Sequence, residues 1–243
     1  TIINRMFDPL VNFLVKNNAK VIKIASIDTN NFSFMELVAQ KKIPVIASIG
    51  MCNWNEVAIT WNIFKKAKCP IMFLHCTSAY PCPIEDKNLN CIPILQNMFK
   101  EDIGFSGHGT GPIGTLGAVA LGAKVIEKHV TLSRKMSGPD QNASLEFNEL
   151  KSLIINSNQM QKALGSSIKA FEKSEKTLHG VLAKRIIISK PMKSGEKITA
   201  SHIRTVVTKK NDGLLPNKYY EILGLKVKND LKINHVLEFS DLI

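Results

Sequence analysis

Five short apolar runs recur through the first two-thirds of the chain, at Val21–Ser26, Val45–Ser48, Ile71–Thr77, Ile103–Ser106 and Val125–Thr131, and their starts lie about 22 to 32 residues apart. Helical patterns fall between or beside them, over Phe7–Lys16, Phe34–Lys41, Asn55–Lys66, Ile113–Leu121 and Leu145–Leu164. That period is one β-strand plus one α-helix, the repeat of a parallel sheet. The strand runs are continuously apolar rather than alternating, as in a sheet covered on both faces. Asn53 is a fair helix N-cap, and Gly122 and Gly165 stand where helices stop with glycine.

Polar residues gather where the strands end: Lys23 and Ser26, Ser48, Thr77 and Ser78, Ser106 and His108, Glu127 and His129. In (β/α) barrels the chemistry sits at those ends. An open doubly wound sheet has the same habit, so the pattern leaves both architectures standing. Lys23 is the more pointed observation, because a lysine buried in an apolar strand needs an anion to face. Two strings stand out, Gly104-Phe105-Ser106-Gly107-His108 and Val125-Ile126-Glu127-Lys128-His129. Each reads as a strand that delivers a histidine, and Glu127 and His129, two apart, project from one face. An acid beside an imidazole, with a second imidazole on the preceding strand, suits a divalent metal and proton transfer. His75, inside an apolar strand, reads as core.

The chain has 243 residues, enough for one large domain or two ordinary ones. No apolar run approaches the roughly 20 residues that span a bilayer. The start, Thr1-Ile2-Ile3-Asn4-Arg5, is neither an initiator methionine nor a signal peptide, so the chain is expected to begin partway into something longer. Five cysteines, none in a Cys-x-x-Cys pair, fit reduced thiols in a cytoplasmic protein. The net charge of +12 is spread over both parts, with 17 basic and 12 acidic side chains in residues 1–165 and 15 and 8 in residues 166–243. With no Arg-rich tract and little aromatic interleaving, this argues against nucleic acid and for a small anionic substrate.

After Gly165 the composition changes. Residues 166–179 read as a polar linker, and residues 180–243 as a small mixed module with β-like segments at Val181–Ser189, Pro191–Glu196, Arg204–Thr208 and Leu223–Val227, a turn or helix start at Ala200–Ile203, and a helix N-cap at Ser201.

Several strings, in order and at compatible spacing, give the chain a resemblance to the sialic acid synthases over nearly its whole length. They are Lys23-Ile24-Ala25-Ser26, Asp28-Thr29-Asn30-Asn31-Phe32, Ser48-Ile49-Gly50-Met51, His75-Cys76-Thr77-Ser78-Ala79-Tyr80-Pro81, the two histidine strings and Ser137-Gly138-Pro139-Asp140. The Asp28–Phe32 string looks more like the animal enzymes than the bacterial ones. The resemblance implies an α/β fold: a TIM-type barrel followed by an antifreeze-like (SAF) module. It implies condensation of phosphoenolpyruvate with N-acetylmannosamine or its 6-phosphate, giving a nine-carbon sialic acid and phosphate, with Mn²⁺ or Mg²⁺ held by His108 and His129. Glu127 would serve proton transfer or activate water; Lys23, Ser26, Ser48, Ser106 and Ser78 would bind phosphate and carboxylate. Tyr80 and Asp140 would lie on the sugar side, and Arg185 matches an arginine reaching into a partner's site in a homodimer.

One departure matters. Such a barrel takes about 250 residues, yet about 165 precede the small module. Five of eight strands are therefore expected, with an acidic residue and a second phosphate-binding lysine absent. A pseudaminic- or legionaminic-type synthase, and a catalytically dead scaffold of the same fold, stay as alternatives.

Overall fold

The computed structural model describes residues 2–208 and 212–243, with side chains from residue 9 onward. They form two compact units, residues 1–165 and 166–243.

The first unit begins with α1 (Ile2–Lys16) and then alternates strand and helix: β1 (Ile22–Ile24), α2 (Phe32–Gln40), β2 (Val45–Ser48), α3 (Trp54–Lys66), β3 (Ile71–Cys76), α4 (Cys91–Phe99), β4 (Ile103–Gly107), α5 (Ile113–Ala120), β5 (Ile126–Lys128) and α6 (Phe147–Leu164). All five strands are parallel and lie in chain order, β1-β2-β3-β4-β5. A doubly wound sheet reverses its order partway, at a switch point where the ligand binds. This sheet does not reverse, so the curled array is part of a singly wound barrel, a half-barrel of five strands.

Alternation along each strand divides the sheet into two faces. Ile22, Ile24, Val45, Ala47, Ile71, Phe73, Ile103 and Phe105 point outward into a core completed by Phe34, Met35, Val38, Val57, Phe64, Ile92, Leu95 and Phe99 of the helices. Local signals fix where these helices begin. Asn53 caps α3 in a full capping box, its side chain accepting from the Glu56 amide while Glu56 accepts from the Asn53 amide at 2.8 Å. Gly122 and Gly165 follow α5 and α6 with positive φ, as expected of them.

Several expectations need correction. Helix α4 was not foreseen: Pro93 sits near its start, and Asn88 and Asn90 lie just before it. The last strand is shorter than Val125–Thr131, so His129 lies just past it. Residues 166–179 are not all linker, because α7 (Lys176–Leu182) begins within them. In the second unit the cap is Thr199, two residues before Ser201, opening a 3₁₀ turn over Ala200–His202.

That unit pairs β6 (Lys184–Ile188) antiparallel with β7 (Ile203–Val207), ahead of a short α8 (Tyr219–Ile222). Leu223–Val227 makes only isolated bridges, Lys197 with Lys226 and Val227 with Leu242, and is no strand. Its own core comprises Ile186, Ile188, Met192, Ile198, Ile222, Val227, Leu231 and Leu237. Among the described residues, no helix is long and apolar enough to cross a membrane.

Candidate active site

Adjacent strands bring the inward-facing polar residues into register: Cys76 pairs with Ser106, and Ser106 with Glu127. Glu127 is the hub. Its Oε2 accepts from Ser106 Oγ at 2.7 Å and from Ser48 Oγ at 3.2 Å, and its Oε1 lies 3.3 Å from Lys23 Nζ. Lys23 Nζ also donates to Ser48 Oγ at 2.9 Å and to the Ile24 carbonyl at 2.8 Å. Lys23 is not buried, as the sequence suggested; its side chain keeps 36% exposure. It nevertheless turns inward, and the charge it meets is Glu127.

Ser26 and Ser78 flank this hub through Gly50. The Gly50 amide donates to Ser26 Oγ at 3.0 Å, and a Cβ on Gly50 would fall 2.2 Å from Ser78 Oγ and 2.9 Å from Ser26 Oγ. Only glycine lets the β2 turn approach both hydroxyls. Cys76 Sγ sits among them, 3.7 Å from Ser26 Oγ, 3.9 Å from Ser78 Oγ and 3.7 Å from His108 Nδ1. Burial pushes the Cys76 thiol up, but its contacts with His108, Ser26 and Ser78 outweigh burial and bring it below the ordinary thiol value. Cys52, on the turn after β2, is pushed up to about 11 by burial and by Glu56.

The two histidines stand together at the far side. Their ring centres are 5.3 Å apart. Tyr80 stacks on His108 at 4.0 Å and meets His129 edge-on at 5.6 Å. His108 Nδ1 lies 3.0 Å from the Thr77 carbonyl, a contact that puts the proton on Nδ1 and leaves Nε2 as the free donor atom. Asp140 Oδ2 is 4.0 Å from His129 Nδ1, too far for a hydrogen bond. Two imidazoles at this separation can turn a nitrogen each onto one ion at bonds of about 2.0–2.2 Å. Among the described residues no group of three or more His, Cys, Asp or Glu side chains closes a cage. Two ring nitrogens so placed could supply two ligands to a divalent ion, with its other positions left to water and substrate.

His75 is core: 6% exposed, with Nε2 2.8 Å from the Lys87 carbonyl. Arg185, on β6, is buried in the second unit, and its guanidinium donates to the Ala183 and Lys184 carbonyls. Sequence reasoning passed over Cys76, Gly50 and Lys128. Lys128 follows Glu127 and points to the outer face, donating to the Gly107 carbonyl at 2.7 Å and to that of Gly109. Burial and nearby Lys87 bring it down to about 8. The argument from a lysine in an apolar strand, applied to Lys23, would have found it.

The NeuB family profile matches residues 6–169. The pseudaminic acid synthase of Campylobacter jejuni (strain 81-176) is 37% identical over 233 residues, covering 95% of this chain and 67% of that relative. The N-acetylneuraminate-9-phosphate synthase of Homo sapiens is 36% identical over 223 residues, covering 91% and 62%. These near-equal identities do not single out the animal type that Asp28–Phe32 suggested. A crystal structure of the N-acetylneuraminic acid (sialic acid) synthetase of Leptospira borgpetersenii, 36% identical, superposes with a TM-score of 0.66 over 70% of this chain and 60% of that one. The chain thus spans about two-thirds of the length of such relatives, and it belongs to the NeuB family.

Proposed function

We propose that this chain carries the metal-binding and anion-binding half of a nonulosonic acid synthase, which condenses phosphoenolpyruvate with an N-acylated amino sugar or its phosphate and releases phosphate. The observation that carries the reading is the Lys23–Ser48–Glu127–Ser106 network beside the His108–His129 pair. In the reaction a bond forms between C3 of phosphoenolpyruvate and the acceptor's aldehyde carbon, water adds at C2, and phosphate leaves. Lys23 offers an ammonium, and Ser26, Ser48 and Ser106 offer hydroxyls, for the carboxylate and phosphate of the substrate. An arriving anion would take Lys23 from Glu127. That frees one carboxylate oxygen to move a proton between substrate and water, while Ser106 keeps hold of the other. Tyr80 and Asp140, beside the histidine pair, would meet the sugar. Held by His108 and His129, Mn²⁺ or Mg²⁺ would supply Lewis-acid polarisation of the aldehyde.

We read residues 180–243 as an antifreeze-like (SAF) module, with Arg185 serving a partner's site in a homodimer. That these residues form a compact unit with their own core agrees with a separate module, and the family profile ends at residue 169. A cytoplasmic setting agrees with the five free thiols.

The test is phosphate release from phosphoenolpyruvate with Mn²⁺. The acceptors are N-acetylmannosamine, its 6-phosphate, and those of the pseudaminic and legionaminic synthases. The proteins are residues 1–243 and any longer reading frame that contains them. We expect acceptor-dependent release from the latter and none from residues 1–243, whose five strands leave the barrel open. The acceptor turned over names the type. Failure with every acceptor supports the scaffold alternative and overturns the reading.

A further inference from the structure

We propose that Lys128 is a positioning residue that fixes the His108 imidazole from behind the sheet. The inference deepens the metal-site reading and rests on it for its consequence, though not for its geometry. The sheet register of β4 with β5 ends at the Gly107–Lys128 pair, so the chain carrying His108 is leaving the sheet. At that point the Lys128 ammonium donates to the carbonyls of Gly107 and Gly109, the residues on either side of His108. The His108 carbonyl between them accepts the Cys82 amide at 2.6 Å. Lys87, only 8% exposed, extends the brace by donating from Nζ to the Cys82 carbonyl at 3.1 Å.

Three successive carbonyls are thereby held, which fixes the peptide planes and with them the direction of the His108 side chain. The ring answers to that placement, with Nδ1 on the Thr77 carbonyl and its face on Tyr80. Space for the brace is built in, since a Cβ on Gly114 would fall 2.7 Å from Lys87 Cδ. The arrangement is costly as mere structure. It buries Lys87 beside Phe105 and half-buries Lys128, and among the described residues neither makes a salt bridge to a carboxylate. An apolar residue at 128 would fill the layer at less expense, but it could not hold the histidine.

The experiment compares Lys128→Met and Lys128→Arg with the unmodified chain of residues 1–243, with folding checked by Trp54 and Trp61 fluorescence. In metal-free protein, the ring N–H of His108 bound to Thr77 should give a slowly exchanging proton resonance, assigned by its loss in His108→Asn. We expect it to vanish in Lys128→Met and persist in Lys128→Arg, whose guanidinium can bond both carbonyls. Mn²⁺ titration followed by electron paramagnetic resonance should show Kd raised about 10- to 100-fold by Met and within about threefold of the unmodified chain for Arg. A folded Lys128→Met that keeps both the ring resonance and Mn²⁺ affinity overturns the proposal. If the unmodified chain binds no Mn²⁺ while the ring resonance still depends on Lys128, the metal reading fails and the positioning role stands. Should Lys128→Met not fold, Lys128→Gln, which keeps one donor, takes its place with the same two readouts.

Discussion

The two faces of the five-stranded sheet are made by the same strands and obey different chemistry. Outward, Ile22, Ile24, Val45, Ala47, Phe73, Ile103 and Phe105 pack under helices, all below 5% exposure. Inward, Lys23, Ser48, Ser106 and Glu127 form a hydrogen-bonded cluster, and Cys76 meets Ser26, Ser78 and His108 beside it. The outer face is interchangeable in kind, since any apolar residue of the right volume serves. The inner face is specific in kind, because each polar group is the partner of another. Stability should therefore be lost from the outside and chemistry from the inside, and substitutions on neighbouring residues can separate them.

The largest effect is expected at the hub. Glu127→Gln keeps the shape and removes the charge. In a longer, active protein that contains this chain it should lower phosphate release by about 10²- to 10⁴-fold while moving the unfolding midpoint little. A midpoint that falls in step with activity would merge the two faces. On the outer face Phe73→Ala should cost about 3–5 kcal/mol, read by urea unfolding through the two tryptophans, both of which belong to the first unit. Lys23→Met should lower kcat/KM for phosphoenolpyruvate by about 10- to 1,000-fold, with a smaller change for the acceptor. Equal losses for both substrates would remove Lys23 from the anion side. Asn53→Ala should cost about 1 kcal/mol through the lost cap and leave turnover unchanged.

The smallest effect concerns pH. His75 lies on the outer side, and burial, set against its bonds to the Lys87 and Asn88 backbone, lowers its pKa from 6.5. Below 6.5 the unfolded chain takes up this proton before the folded one does, so stability should rise with pH between the lowered folded value and 6.5 and be lost on acidification through that window. His75→Gln should flatten that part of the profile. An unchanged profile would show that the imidazole does not titrate with unfolding.

What was legible in the sequence follows the same division. The apolar runs and their spacing announced the strands, because continuous burial leaves a continuous pattern. The polar residues at the strand ends announced the site. The choice between singly and doubly wound sheets was not legible, since it is a matter of spatial order that no local pattern encodes. Helix α4 was missed because Pro93 and the asparagines before it resemble a loop. Cys76 reads locally as one more apolar strand residue, and only the β3–β4 register sets it against Ser106 and His108. Lys128 was overlooked because Glu127 and His129 on either side drew the chemical reading.

The central claim is that the inner strand ends form one site in which His108 and His129 hold a divalent ion. Pulsed electron paramagnetic resonance of Mn²⁺ bound to residues 1–243 tests it most directly, by counting coupled imidazole nitrogens. The account predicts coupling from two imidazoles, reduced to one in His129→Ala and unchanged in His75→Ala. No nitrogen coupling, or the same coupling in both variants, would contradict it.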